Sequence, residues 1–164
     1  MRENYNHVPP VGQYDDYSCW AASLKFWYKA AHGVKKSQQG LIDKYNHKAD
    51  DDGAMGELGL IHIMTTSRMY PSIADPAQQF TADEVRKLLR DWGPIFVAYK
   101  SSASRFKHVV VIHGIEATDI MPRVNVMDPG AKYDHGTQKY VGQHLSKSLT
   151  EYNWFDRVIY GREK

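Results

Sequence analysis

Cysteine is almost missing from this 164-residue chain: Cys19 stands alone. A single thiol excludes an intramolecular disulfide and any multi-cysteine zinc site, so the core alone must hold the fold, which suits a reducing compartment. Long apolar runs are missing too. None approaches the roughly 20 residues that span a bilayer, and the opening Met1-Arg2-Glu3-Asn4-Tyr5-Asn6-His7 has no apolar signal-peptide core. A membrane partner is therefore not expected, and the chain is expected to carry no export signal of its own. Nor does either sign of charge dominate. The 21 basic and 19 acidic residues are interspersed, with a net charge of +2 and no basic stripe, so nucleic acid is not an expected partner. Histidines 7, 32, 47, 62, 135 and 144 lack a spacing such as His-Glu-x-x-His, and no Lys-Ser/Thr pair follows the glycines at 53, 56 and 59. Neither a metal nor a phosphate-bearing cofactor is expected.

What is present is the balance of a globular protein, 42% hydrophobic and 24% charged, at a length that fits one domain over 1–164. Helical signals come first. Ser18 is placed to cap a helix from Cys19 to about Ala31, with Trp20, Leu24, Trp27 and Ala31 at helical spacing and His32-Gly33 as its end. A second amphipathic helix is predicted over Ser37–Lys48, an acidic glycine-containing loop over Ala49–Gly59, and a short helix over Leu60–Met69. Thr81 to Trp92 is predicted helical, with Thr81 and Glu84 as a capping box and Gly93-Pro94 as the stop. Strand signals follow over Ile95–Tyr99, His108–Ile115, Arg123–Met127, Lys139–Val141 and Arg157–Tyr160. Helices first and strands after predict an α+β fold, the first helix packed against an antiparallel sheet.

The lone cysteine falls at the predicted start of a helix, where exposed backbone N–H groups favour negative charge on a thiol. A thiolate nucleophile also needs an imidazole to carry its proton and hydrogen-bond donors for the oxyanion of the tetrahedral intermediate. Gln13, six residues before Cys19, is placed to supply one such donor beside the Cys19 N–H. The run Gln13-x5-Ser18-Cys19-Trp20-Ala21-Ala22-Ser23 resembles the active-site segment of papain-like cysteine peptidases in its Gln-to-Cys spacing and its Ser-Cys-Trp-Ala core. His108-Val109-Val110-Val111-Ile112-His113-Gly114-Ile115 resembles the histidine strand of that family, and Gly93-Pro94-Ile95-Phe96-Val97-Ala98-Tyr99 the Gly-Pro strand before it. By strand alternation, His108 and His113 point to opposite faces, and His108 is taken as the one that faces Cys19. Val124-Asn125-Val126-Met127-Asp128-Pro129-Gly130 resembles the strand-end Asp-Pro of the bacterial C39-like peptidases and papain-like secreted effectors.

The resemblance implies Cys19 as nucleophile, His108 as general base, Asp128 as the residue that orients the imidazole (Asn125 in reserve), and Gln13 in the oxyanion hole. It implies hydrolysis of a protein substrate with no cofactor, and a cleft narrow enough to prefer Gly-Gly, as in the C39-like relatives. Asp15-Asp16 depart from the small residues usual before the cysteine; they are either solvated turn residues or a pair that raises the thiol pKa or favours a cationic substrate. The chain is expected to be a monomer and an effector or interbacterial toxin, of the kind carried as the C-terminal domain of a larger secreted protein. It would be secreted or injected to act in a target-cell cytoplasm, and restrained by a cognate immunity protein over its cleft. Two alternatives keep the residues and change the role: an amidase of peptidoglycan or a glutamine deamidase using the same triad, and a catalytically dead binding module.

Overall fold

The computed structural model describes residues 4–74, 81–100, 108–116, 120–150 and 157–163. Four α-helices, α1 (Cys19–His32), α2 (Gln38–Tyr45), α3 (Glu57–Thr66) and α4 (Ala82–Trp92), accompany six strands: β1 (Met69–Ala74), β2 (Ile95–Lys100), β3 (His108–Glu116), β4 (Arg123–Asp134), β5 (Lys139–Ser148) and β6 (Arg157–Glu163). The strands form one antiparallel sheet in the order β1-β6-β2-β3-β4-β5. The fold is α+β, and α1 packs on the sheet.

The central strands read as unbroken apolar runs because both faces of the sheet are covered. Phe96, Ala98, Val109, Val111 and Met127 turn to one side, where they pack with Trp20, Leu24, Phe26 and Trp27 of α1 and with Leu60, Ile63 and Met64 of α3. Ile95, Val97, Val110, Ile112, Val124 and Val126 turn to the other, where Val85, Leu88 and Leu89 of α4 cover them. Trp27 fixes the first of these contacts, its indole N–H donating to the Pro94 carbonyl at 2.9 Å in the interior. The Thr81–Glu84 capping box is formed as predicted.

Several elements differ from the sequence reading. The second helix ends at Tyr45 and tightens into a 3-10 turn over Asn46–Lys48. The helix expected to reach Met69 stops at Thr66, because Arg68 takes up a left-handed conformation (φ 61°) and turns the chain into β1. That strand escapes pattern reading because Pro71 interrupts it, which a sheet tolerates at its edge, where β1 lies. Finally, β4 and β5 run well beyond their predicted ends. Pro129-Gly130 has the composition of a turn but is absorbed as an irregularity between Asp128 and Lys132, and pairing resumes up to Asp134 with Lys139.

Candidate active site

The first turn of α1 carries Cys19, which is buried with 8% of its surface exposed. Ser18 occupies the cap position without capping the helix: its hydroxyl accepts instead from the Tyr14 N–H (2.9 Å) and the Asp15 N–H (3.1 Å), folding the preceding loop back on itself. The positive end of the helix dipole is thus left without the side-chain acceptor that a serine cap would provide. One turn further along, Ser23 donates to the Val109 carbonyl at 2.9 Å in the interior. That bond sets the register of α1 along β3 one residue from His108 and brings imidazole and thiol together.

His108 opens β3. Its Nε2 lies 2.6 Å from Asp128 Oδ1, and the same oxygen accepts the Gly130 N–H at 2.9 Å. With Nε2 committed to the carboxylate, Nδ1 is left for the thiol of Cys19. Burial alone would lower the His108 pKa, but hydrogen bonds to Asp128 and Cys19 and the charges of both outweigh it and push it up to about 10. Asp128 responds in the opposite sense. Burial raises its pKa, yet the bond and charge of His108, the Gly130 N–H and the charge of Lys147 hold it below the ordinary carboxylate range. The ring of Tyr99 meets His108 edge-on, with centroids 5.8 Å apart.

Gln13 reaches the same place from the N-terminal loop. Its N–H donates to the Pro129 carbonyl (3.1 Å), so the residue after Asp128 also anchors the glutamine. Its side-chain Nε2 donates one hydrogen to the Asp15 carbonyl at 2.7 Å, and its buried Oε1 has no hydrogen-bond partner among the described residues. Gly130 makes this convergence possible. A Cβ there would lie 2.8 Å from Gln13 Oε1 and 3.3 Å from His108 Cε1. The four residues Cys19, His108, Asp128 and Gln13 are therefore brought together, whereas Asn125 pairs with Gly114 and Ser146, away from the imidazole.

Strand alternation singles out His108 by a parity argument that the structure corrects. The residues of β3 that face α1 are Val109 and Val111, so parity puts His113, not His108, on the α1 side, and His113 does pack against Phe26. His108 meets Cys19 because it is the first residue of its strand, at the end of the sheet where α1 begins. His113 is instead part of a closed chain of hydrogen bonds. The Tyr5 N–H donates to its Nδ1 (3.3 Å), its Nε2 lies 3.0 Å from His144 Nδ1, and His144 Nε2 lies 2.8 Å from the Val8 carbonyl. Because a carbonyl only accepts, His144 carries its proton on Nε2 and His113 donates from Nε2, so two neutral rings satisfy every partner. Burial, reinforced by the repulsion that a protonated His144 would exert, pushes His113 down to about 4.

The two acidic residues of the loop have local partners. Asp15 Oδ1 accepts the Tyr17 N–H at 2.9 Å, and Asp16 accepts the hydroxyl of Tyr140. Sequence reasoning assigns no role to Ser23 or His144. Ser23 had a signal, its position one helical turn after the cysteine.

A family model described as papain-like cysteine protease AvrRpt2 matches residues 4–150. No curated protein matches the chain. Among solved structures, the peptidase domain of Streptococcus ComA, a bifunctional ABC transporter involved in quorum sensing, is 15% identical with a TM-score of 0.60, covering 96% of this chain and 100% of that one. A double glycine motif protease from an AMS/PCAT transporter, solved with its leader peptide, is 14% identical with a TM-score of 0.57 over 96% and 92%. A structure from work on the mite allergens Blo t 1 and Der p 1 is 13% identical with a TM-score of 0.52 over 99% and 71%. At these identities the likeness is one of fold.

Proposed function

This chain belongs to the papain-like cysteine protease family of AvrRpt2, and on that premise we propose that Cys19, His108, Asp128 and Gln13 are its peptide-hydrolysing machinery. The observation that carries the reading is the His108 imidazole, held between the Asp128 carboxylate and the Cys19 thiol at the start of α1. The thiolate adds to the scissile carbonyl, and the second hydrogen of Gln13 Nε2, together with the Cys19 N–H, donates to the oxygen that becomes negative. Protonated His108 then gives its proton to the leaving amine. In the second half-reaction, neutral His108 takes a proton from water as that water attacks the thioester, and the acyl group leaves as a carboxylic acid. Asp128 keeps the ring oriented throughout and stabilises its charged form.

The substrate is a protein or peptide segment. Support for a Gly-Gly preference comes from the fold shared with a protease of double-glycine motifs, and a panel of fluorogenic peptides tests it. Fast release after Gly-Gly is expected; efficient cleavage after bulky residues and none after Gly-Gly would end that part of the reading. A lone cysteine with no disulfide to lose suits action in a reducing cytosol. In this reading the chain works there as a monomeric effector, held in check by an immunity protein that blocks its cleft. Expression of wild type and Cys19→Ala in a bacterial cytosol, with growth and new proteome termini recorded together, tests the whole. Toxicity with new termini, both lost in the variant, is the expected result; toxicity that survives the substitution would sink the peptidase mechanism and leave a binding module.

A further inference from the structure

Gln38, the first residue of α2, is a buried amide (2% exposed) with no part in the chemistry above. When it is oriented so that each of its atoms meets its complement, the nitrogen donates to the Gly12 carbonyl at 3.2 Å and the oxygen accepts the Tyr14 N–H at 3.3 Å. Those groups belong to the two peptide planes that adjoin Gln13. Each plane is rigid, so the only soft torsions between them are φ and ψ of Gln13 itself. A side chain that grips both planes therefore sets the direction in which Gln13 leaves the backbone.

The loop needs such a grip. Residues 9–13 form no helix or strand, and loops hold geometry less tightly than regular elements. Two further bonds hold the same planes, each to a different element: the Gln13 N–H to Pro129 on the plane of the Gly12 carbonyl, and the Tyr14 N–H, shared with Ser18 Oγ, on the next; Gln38 holds both from a single side chain. We propose that Gln38 is a positioning residue for the oxyanion donor, acting on the reaction only through Gln13. This rests on the reading of Gln13 given above, and the experiment separates the two.

Two reactions at Cys19 make the distinction. With p-nitrophenyl acetate, the thiolate adds to the ester carbonyl, passes through an oxyanion and expels p-nitrophenolate to leave a thioester. With iodoacetamide, it displaces iodide and no oxyanion forms. Gln13→Ala is expected to slow acylation about 100-fold and leave alkylation within roughly twofold. Gln38→Met, which keeps the length and loses both hydrogen bonds, is expected to slow acylation about tenfold, again with alkylation nearly unchanged. The double variant should be no slower than Gln13→Ala alone, because Gln38 has nothing left to position.

Wild-type acylation in Gln38→Met beside a slow Gln13→Ala would overturn the proposal and leave the role of Gln13 standing. So would a double variant slowed by the product of the two effects. Wild-type acylation in Gln13→Ala would remove the role of Gln13, and the proposal with it. If Gln38→Met fails to fold, Gln38→Glu decides the matter. A protonated carboxyl can donate to the Gly12 carbonyl and an ionised one repels it, so acylation relative to wild type should rise as pH falls through the carboxyl titration. A flat ratio overturns the proposal.

Discussion

His108 is pulled in two directions: burial lowers its pKa, and the Asp128 carboxylate raises it both through its hydrogen bond and through its charge. Asp128→Asn keeps an acceptor and loses the charge, so it should move the His108 titration down from about 10 and retain more turnover than Asp128→Ala, which loses both and should cost roughly 100-fold in kcat. Imidazole NMR titration and steady-state rates check the two halves. Retention of full activity by Asp128→Ala would show that the ring needs no orienting partner. At this scale much was legible: a thiol at a helix start, an amide six residues before it, and a histidine opening an apolar strand are local patterns, and these side chains do converge. What was not legible was contact made across the fold. Nothing near Gln38 in the chain says that it grips residues 12 and 14, and nothing near His113 names His144 as its partner.

At the scale of elements, the N-terminal segment depends on β5 for its path. Gly12 and Gly142 face each other so closely that a Cβ on Gly142 would lie 2.3 Å from the Val11 carbonyl oxygen and 2.9 Å from the Gly12 nitrogen. Gly142→Ala must push the segment off the strand, and Gln13 travels with it. The expected result is a loss of roughly 100-fold in kcat/KM with the fold retained, checked by kinetics beside far-UV circular dichroism. An unchanged rate would show that the oxyanion donor tolerates displacement of its support. The helices were readable where caps and spacing agreed, as at Thr81–Glu84, and five of the six described strands where β-branched and aromatic residues lie between turns. β1 was hidden by its proline, and the extension of β4 by Pro129-Gly130. In both cases the local rule was sound and tertiary pairing overrode it.

For the molecule as a whole, the Tyr5–His113–His144–Val8 chain joins the N-terminal segment, β3 and β5. His113 titrates near 4 in the folded state and near 6.5 when unfolded, so between those values the unfolded chain binds more protons. Stability present above about 6.5 is lost as pH falls through 4, by about 3 kcal/mol from this one group. His113→Phe should lower stability at neutral pH and flatten its fall between pH 7 and 4.5, as read from urea midpoints. A fall as steep as that of wild type would assign the acid sensitivity to other groups. The strand order has another consequence. Since β6 lies between β1 and β2, and β1 joins the sheet by pairing with β6, the edge strand made before Asp128 has no place in the sheet until residues 157–163 have been made. The order of synthesis thus leaves an early strand waiting for a late one.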